Sequence, residues 1–202
     1  MNHIAKNPVN IAAVILAAGS ASRMGQPKLL LPWKGEALIR HAARTALEAG
    51  LSPVCVVTGA GQEDIRSALT GLDVQLAHNP DYLDGQSTSV RTGIKSLPAE
   101  TRAVIFLLGD QPFVTAGLLQ ALVSTYSLMH PLILAPFVNE KRTNPVLFDR
   151  EVFESMNQLA GDSGARSLFG QFPPASMPWD DERLLFDVDT PADYQRLLSF
   201  ET

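Results

Sequence analysis

The sequence predicts an α/β fold built around a largely parallel β-sheet. Short apolar runs alternate with amphipathic segments along the 202 residues, which is the pattern of consecutive βαβ units. The runs VIL, VCVV and VIFLL are continuously apolar, as expected for strands that helices cover on both faces. Hydrophobic residues make up 46% of the chain and charged residues 18%, which is typical of a globular protein with a buried core.

The individual elements follow from periodicity and turn residues. Short apolar runs predict strands over 12–17, 53–59, 73–78, 103–110, 132–137, 145–148 and 184–189. Helical spacing of apolar residues predicts helices over 36–49, 62–69, 87–97, 115–129, 149–159, 164–170 and 190–199. Thr115 and Thr190 are expected N-caps, the latter followed by Pro191 at the first helical position. The polar connection VNEKRTN between two strands predicts a hairpin-like excursion that could contact a second substrate.

We expect one domain over residues 11–202, with residues 1–10 as a loose lead-in, because no repeat, low-complexity tract or linker interrupts the chain. The single cysteine, Cys55, lies in an apolar run, which favours a buried thiol. No apolar stretch reaches the ~18–20 residues that span a membrane. Residues 11–18 have the length of the apolar core of a signal peptide. Lys6 is the only charged side chain before them, with His counted as neutral, and we therefore expect a cytoplasmic protein.

Charge is unevenly distributed along the chain. The net charge of −5 disfavours a general nucleic-acid binder, because neutralisation of phosphates dominates that affinity. The first 35 residues nevertheless contain Lys6, Arg23, Lys28 and Lys34 and no acidic side chain. A local positive field in an acidic protein suits a small anionic ligand.

The strongest motif is LAAGSASRMGQPK at residues 16–28, directly after the first apolar strand. Gly19 and Gly25 bracket small residues whose backbone N–H groups can approach phosphate oxygens, and Arg23 and Lys28 can neutralise a polyphosphate. The glycine spacing differs from that of a Walker A loop, and Ala21 stands where a Rossmann fingerprint needs glycine. The alternative is a structural turn with incidental charges.

Two aspartates are candidate ligands for Mg²⁺. Asp110, in GDQP, ends the predicted strand 103–110, and open α/β sheets bind ligands at the carboxyl ends of their strands. Asp189, in FDVDTPADY, ends the last predicted strand, and Asp187 would point the same way. A magnesium site commonly uses one or two carboxylates with substrate phosphates. Each aspartate could instead cap a turn or helix.

Two further segments are weaker candidates. NPDYLDGQSTSVRTG (79–93) is a polar loop entering a helix, where Ser87, Thr88 and Ser89 could hydrogen-bond a base, a ribose or only the helix start. GDSGAR (161–166) offers Arg166 near a predicted helix N-terminus, where anions are favoured. No serine lies in a G-x-S-x-G elbow, so hydrolysis by a protein nucleophile is unsupported.

Taken in order, these motifs resemble the MobA-like nucleotidyltransferases, and in particular their molybdenum cofactor cytidylyltransferase branch. The similar segments are LAAGSASRMGQPK, NPDYLDGQSTSVRTG, LLGDQP, NPVLF, GDSGAR and FDVDTP. The resemblance implies a three-layer α/β/α Rossmann-like nucleotidyltransferase fold with a mostly parallel sheet. It also implies transfer of a nucleotide monophosphate from an NTP with release of pyrophosphate, with CTP as the favoured donor and the terminal phosphate of molybdopterin as the acceptor.

The resemblance also implies the site residues. The residues expected to contact the nucleotide are Leu16, Ala17, Ala18, Gly19, Arg23, Met24, Gly25, Lys28, Gly85, Ser87 and Ser89. The expected catalytic residues are Arg23, Lys28 and Asp110, and the expected Mg²⁺ ligands are Asp110 and Asp189. The motifs LAAG and GDQP resemble those of the cytidylyltransferase branch, which favours cytidylyl over guanylyl transfer. Many relatives have Gly-His before PVLF, where this chain has Thr143-Asn144.

Two other functions stay open at this point. One is a guanylyltransferase or another NTP transferase with a different phosphorylated acceptor. The compact 202-residue chain weakly opposes a sugar-1-phosphate as that acceptor, because no added acceptor domain is evident. The other is a non-catalytic nucleotide- or cofactor-binding accessory protein for a molybdoenzyme, which would not need both carboxylates and both cations. A transient complex with a molybdoenzyme or its chaperone is compatible with every alternative.

Overall fold

The computed structural model describes residues 10–19, 24–162 and 164–200. The strands in these ranges are β1 (Ile11–Ala17), β2 (Pro32–Trp33), β3 (Glu36–Ala37), β4 (Val54–Thr58), β5 (Gln75–His78), β6 (Ala103–Leu108), β7 (Ile133–Val138), β8 (Lys141–Arg142), β9 (Val146–Asp149) and β10 (Ala175–Pro178). The α-helices are α1 (Leu38–Glu48), α2 (Gln62–Ala68), α3 (Gln86–Lys95), α4 (Ala116–Met129), α5 (Phe153–Asn157) and α6 (Pro191–Leu198). Short 3₁₀ helices cover Lys28–Leu30, Tyr82–Asp84, Arg150–Val152, Gly164–Gly170 and Glu182–Leu185.

The main sheet, as far as the chain is described, has the strand order β10-β7-β9-β6-β1-β4-β5, with β8 paired to β7. Strands β5, β4, β1 and β6 run parallel to one another, as do β7 and β10. Strand β9 runs antiparallel between β6 and β7. The predicted α/β fold with a mostly parallel sheet is confirmed.

Helices cover both faces of the sheet, which explains the continuous apolar runs. On β1, Ile11, Ala13 and Ile15 face a core that contains residues of α1, α2 and α4. Ala12 and Val14 face the opposite core, which contains residues of α3 and α5. Because consecutive side chains of a strand point to opposite faces, a strand covered on both sides must be apolar at every position. These two cores make the three layers that the resemblance implies.

Four parallel strands bring the chain segments that follow them together at the carboxyl end of the sheet. The carboxyl ends of β5, β4, β1 and β6 are neighbours, and Leu16 of β1 lies opposite Leu108 of β6. Helix α3 packs closely against this region because it carries Gly93. A Cβ at Gly93 would lie only 2.6 Å from Val14 Cγ1. The segments that follow these strands therefore converge on one side of the sheet.

The predicted strand 184–189 is wrong. Its first part belongs to the 3₁₀ helix Glu182–Leu185, and the remainder pairs with no strand in the described part of the chain. The alternating pattern has another origin. Val188 is buried in a small apolar cluster with Met24, Leu31, Trp33, Leu38 and Leu197, and Phe186 packs against that cluster. Burial on one side of an irregular segment therefore produces the same alternation as a half-buried strand.

Other differences concern short elements. The sequence analysis missed β2, β3, β8 and β10, which have only two to four residues each. The predicted helix 149–159 is divided between the 3₁₀ helix Arg150–Val152 and α5, and the predicted helix 164–170 is a 3₁₀ helix.

Several local predictions are confirmed. Thr115 caps α4 by accepting a hydrogen bond from the Leu118 backbone N–H at 3.2 Å. The hairpin is formed by β7 and β8, and its turn residues Asn139 and Glu140 have φ values of 47° and 64°. Cys55 is a buried free thiol. Across the residues that the structure describes, no helix is long and apolar enough to cross a membrane.

Candidate active site

The first motif begins with the last residues of β1, at the carboxyl end of this central strand. Leu16 and Ala17 are the last residues of β1, and Ala18 and Gly19 continue beyond it. The prediction for Arg23 lies outside the described residues. The described chain resumes at Met24, and Gly25 has a φ of +65°, a backbone conformation that favours glycine. The 3₁₀ helix Lys28–Leu30 follows.

Three side chains from distant parts of the sequence meet beside this loop. Lys28 Nζ donates a hydrogen bond to Asp189 Oδ1 at 2.9 Å and another to Asp110 Oδ2. Burial alone would lower the pKa of Lys28, but attraction to Asp110 and Asp189 outweighs burial, and the net pKa is raised. The side chain is therefore an ammonium at neutral pH. These bonds use two of its three N–H donors.

The two carboxylates are held by different local structures. Asp110 follows β6, and its backbone oxygen accepts a hydrogen bond from the Val188 N–H at 3.0 Å, which joins GDQP to FDVDTP. Asp189 precedes a capping box in which Thr190 Oγ1 accepts from the Asp193 N–H at 3.2 Å and Asp193 Oδ2 accepts from the Thr190 N–H at 2.9 Å. Thr190 is thus the N-cap of α6, and the Asp189 carboxylate is left to contact Lys28.

Asp187 has a different environment from Asp189. Its Oδ1 accepts a hydrogen bond from Gln111 Nε2 at 2.7 Å. Burial raises the pKa of Asp187, and the negative charges of Asp110 and Asp189 raise it further, against the hydrogen bond from Gln111. The two aspartates of FDVD therefore do not make equivalent contacts. Asp189 bonds to Lys28, whereas Asp187 bonds to the residue after Asp110.

A cavity of about 520 Å³, here called the main cavity, opens beside the Lys28 cluster. Its volume lies in the range of small-molecule sites in proteins. It is lined by Leu16, Ala18, Gly19, Lys28, Leu29, Tyr82, Leu83, Gly85, Gln86, Ser89, Leu108, Asp110 and Asp162. The motifs around residues 16–28, 79–93, 109–112 and 161–166 thus contribute to one cavity.

Close backbone contact joins two of these motifs. The Ser87 N–H donates to the Gly161 carbonyl oxygen at 3.2 Å. Gly85 has a φ of +104°, and a Cβ there would lie 2.6 Å from the same oxygen. Glycine at this position therefore allows the segment at Gly161 and Asp162 to close one side of the main cavity.

The other predicted nucleotide contacts are distributed unevenly. Ala17 and Gly25 line a second cavity of about 340 Å³, which shares Gly19 and Lys28 with the main cavity. Met24 is buried in the small apolar cluster described above and lines neither cavity. The structure therefore brings the glycines and Lys28 of the first motif to the cavities, but not Met24.

The serines of the second motif also differ from one another. Ser89 lines the main cavity, and its Oγ accepts a hydrogen bond from Asn79 Nδ2 at 3.0 Å. Ser87 is buried, and its Oγ has no hydrogen-bond partner in the described part of the chain. Thr88 Oγ1 donates to the backbone of the loop before it, which is a structural role.

Sequence reasoning missed Tyr82, Leu83, Gln86 and Asp162 as cavity residues. They lie inside or next to motifs that were identified. No residue type or spacing distinguished them, because their position depends on the contact between residues 85–87 and 161–162.

One oxygen of Asp110 is suited to a metal ion. Asp110 Oδ1 is buried and has no hydrogen-bond partner among the described residues. An unpartnered buried carboxylate oxygen is unfavourable, and carboxylate oxygens are the donors that Mg²⁺ prefers. The described residues contain no cluster of three or more His, Cys, Asp or Glu side chains placed to hold a metal.

Comparison with known proteins identifies the family. Residues 13–176 match the model of the MobA-like NTP transferase domain. The chain belongs to this family. It is a nucleotidyltransferase, and its first motif, Asp110 and the main cavity lie together at the carboxyl end of its parallel strands. A non-catalytic accessory protein is not supported.

Individual relatives cover nearly the whole length of this MobA-like chain. The molybdenum cofactor cytidylyltransferase of Escherichia coli is 27% identical, over 91% of this chain and 93% of its own. The purine catabolism protein PucB of Bacillus subtilis is 34% identical, over 91% of this chain and 94% of its own.

A solved structure is similarly close. Rv0371c of Mycobacterium tuberculosis superposes with a TM-score of 0.83 at 28% identity, and covers 96% of this chain and 99% of its own. A manganese complex of that protein has a TM-score of 0.77 at 27% identity, covering 94% of this chain and 98% of its own.

Proposed function

We propose that this MobA-like nucleotidyltransferase transfers CMP from CTP to the terminal phosphate of a molybdopterin-type acceptor and releases pyrophosphate. The observation that carries the proposal is the convergence of Lys28, Asp110 and Asp189 beside the main cavity. The choice of CTP and molybdopterin is supported by the likeness to the Escherichia coli cytidylyltransferase and by the motifs LAAG and GDQP.

The reaction needs no protein nucleophile. An acceptor phosphate oxygen forms the new bond to the α-phosphorus of CTP, the bond to the bridging oxygen breaks, and pyrophosphate leaves with the electron pair. Catalysis then depends on alignment and on stabilisation of negative charge. Lys28 supplies positive charge for this stabilisation, because its third N–H donor can bond to a phosphate oxygen while the other two are held by carboxylates. We assign Arg23 the same task from the loop of the first motif.

We propose Mg²⁺ as the metal ion, held by Asp110 and Asp189 together with substrate phosphate oxygens. When bound, the ion would supply electrostatic stabilisation of the charge on the α-phosphate and pyrophosphate. The unpartnered oxygen of Asp110 supports a divalent cation at this position. The manganese complex of the Mycobacterium tuberculosis neighbour supports use of a divalent cation in general. Asp189 is chosen over Asp187 because it shares the Lys28 ammonium with Asp110.

The test is pyrophosphate release with Mg²⁺ and molybdenum cofactor, with CTP, GTP, ATP and UTP supplied separately. We expect release with CTP and much less with the other nucleotides. Release with GTP would keep the mechanism and overturn the base assignment. Binding of nucleotide without release from any of the four would overturn molybdenum cofactor as the acceptor. Replacing Mg²⁺ by Mn²⁺, and removing both with a chelator, tests the metal requirement directly.

A second candidate is a nucleotidyltransferase with another phosphorylated acceptor. It is favoured by PucB, which is 34% identical and is a purine catabolism protein. The departure at Thr143-Asn144 from the Gly-His of many relatives points the same way. A panel of phosphorylated acceptors with each nucleotide distinguishes the two candidates. If the product is a molybdenum cofactor dinucleotide, we propose that a transient complex with a molybdoenzyme or its chaperone delivers it.

A further inference from the structure

A third cavity, of about 310 Å³, adjoins the main cavity and shares Leu16, Gln86 and Leu108 with it. We call it the aromatic cavity. Its distinctive lining consists of Phe106, Phe148, Phe169, Arg142, Asn144 and Arg166. Leu108 lies two residues before Asp110, so the aromatic cavity meets the main cavity near the proposed reaction centre.

The aromatic wall is held in place by contacts between its rings. Phe148 and Phe169 stack with centroids 6.3 Å apart and planes at 14°. Phe106 meets Phe148 edge-on at 5.8 Å. Phe106 and Phe148 are almost fully buried on the neighbouring strands β6 and β9. The partly exposed Phe169 ring, supported from behind by these buried rings, offers an apolar surface to a planar organic group.

Two arginines line this cavity, and neither has a carboxylate partner among the described residues. Arg142 is half-buried in β8, with its guanidinium 4.4 Å from the centre of the Phe169 ring. Neither Arg142 nor Arg166 makes an ion pair or side-chain hydrogen bond within residues 10–19, 24–162 and 164–200. Burial lowers the pKa of Arg142, and the positive charge of Arg166 lowers it further, so the two cations are close enough to repel each other.

Arg142 is half-buried and Arg166 is exposed, and an anion bound between the two guanidinium groups would offset their mutual repulsion. The planar guanidinium matches the oxygens of a phosphate group with paired hydrogen bonds. A phosphomonoester carries a charge of about −1.5 to −2 at neutral pH, which two arginines can neutralise. A single carboxylate would leave one positive charge uncompensated.

We propose that Arg142 and Arg166 bind the phosphomonoester of the acceptor, and that the wall of Phe106, Phe148 and Phe169 binds a planar body attached to it. The inference rests on the proposed function, because it assigns the acceptor side of the same reaction. The acceptor would then lie next to the nucleotide without sharing the cations that hold the nucleotide's own phosphates. Arg142 and Arg166 are substrate-binding residues in this assignment.

Binding of a simple probe tests the inference without turnover. Isothermal titration calorimetry is carried out in saturating Mg²⁺ and CTP with 4-methylumbelliferyl phosphate, 4-methylumbelliferone and inorganic phosphate. We expect the phosphate ester to bind more tightly than either fragment. Arg142→Met and Arg166→Met should each weaken its binding roughly 10-fold or more, since a charged hydrogen bond is lost. The affinity for CTP should stay within about two-fold, because these arginines lie outside the main cavity.

Two further variants sharpen the comparison. Arg66→Met removes an exposed arginine from α2 and should leave binding of all three probes unchanged. Arg142→Lys retains the charge but loses the forked donor, so it should bind the ester more weakly than the native protein and more tightly than Arg142→Met. Thermal unfolding confirms that each variant is folded before it is titrated.

The possible outcomes separate this inference from the proposed function. The inference is overturned if both methionine variants bind the ester normally, or if inorganic phosphate binds as tightly as the ester. In turnover, both variants should raise the KM for the acceptor and leave the KM for CTP unchanged. An unchanged acceptor KM with active protein overturns the inference alone. Loss of probe binding in the variants, with no turnover of molybdenum cofactor by the native protein, supports the inference and overturns the proposed acceptor.

Discussion

Replacement of Lys28 by alanine is expected to have a small effect on stability and a large effect on activity. The Lys28 ammonium lies between Asp110 and Asp189, whose side chains are 15% and 39% exposed. A buried hydrogen bond to a charged group contributes roughly 1.5–3 kcal/mol to stability. The bond from Lys28 to Asp189 contributes less, because solvent around the exposed Asp189 screens the attraction. We therefore expect Lys28→Ala to lower the free energy of unfolding by about 1–2 kcal/mol. For a chain of this size, the Tm falls by roughly 2–8 °C.

Turnover should fall much further than this loss of stability explains. The Lys28 ammonium is the described cation that faces both the carboxylates and the main cavity. Removal of one charge-stabilising donor commonly costs ~10²–10³-fold in kcat, so we expect at least ~10²-fold here. The assay is pyrophosphate release at saturating substrates, 15 °C or more below the Tm of the variant. Lys95→Ala is the matched control, because Lys95 is an exposed lysine at the end of α3.

Two results would refute this reasoning. Near-normal turnover by folded Lys28→Ala would remove the proposed role in charge stabilisation. The stability argument has its own check, which is the addition of Asp110→Asn to the alanine variant. If the loss of stability comes from uncompensated carboxylates, the double variant should regain part of the Tm while remaining inactive. A further fall in Tm would show that repulsion between the carboxylates is not its cause.

Three other substitutions test the surrounding structure. Thr190→Ala removes the hydroxyl that accepts from the Asp193 N–H and should cost about 1 kcal/mol, measured as a lower urea midpoint at unchanged m-value. The pKa of Asp187 is raised in the folded protein, so its ionisation above the ordinary pKa of about 4 destabilises the fold. Asp187→Asn should therefore raise the Tm at pH 7, and the difference should shrink as the pH falls toward 4. Gly93→Ala places a Cβ 2.6 Å from Val14 Cγ1 and should cost about 1–3 kcal/mol, part of which Val14→Ala should restore.

The sequence predicted the parallel part of the sheet well because its physical signal is strong. Strands β1, β4 and β6 are buried on both faces, so they appear as continuous apolar runs between polar turns. The short strands β2 and β8 have two residues each, which is too short for any periodicity. The segment 184–189 failed for the opposite reason, since its alternation was real but reflected burial of Val188 in a cluster without a strand partner.

The candidate site also contains residues that the sequence predicted and residues that it could not predict. Lys28, Asp110 and Asp189 were identifiable because each lies in a motif of charged and small residues next to an apolar run. Arg142 carried no such signal of its own, although the predicted hairpin that contains it was one that could contact a second substrate. Its place beside Phe169 results from pairing of β8 with β7 and from the path of the 3₁₀ helix Gly164–Gly170. Such contacts between distant segments have no local pattern in the sequence.

The two sides of the proposed site in this MobA-like protein lie on different kinds of structure. The proposed nucleotide side of the site is formed by segments that leave the parallel strands β1 and β6, whose positions are fixed by backbone pairing such as Leu16 opposite Leu108. Changes there would disturb the central sheet. Arg142 and Asn144 instead lie on a hairpin and its connection, where side chains can change without altering the pairing of the buried strands. A molybdenum cofactor cytidylyltransferase and a purine catabolism protein both match about nine-tenths of this chain in sequence. Under our proposal, side chains around the aromatic cavity are where such relatives would differ in the acceptor that they bind.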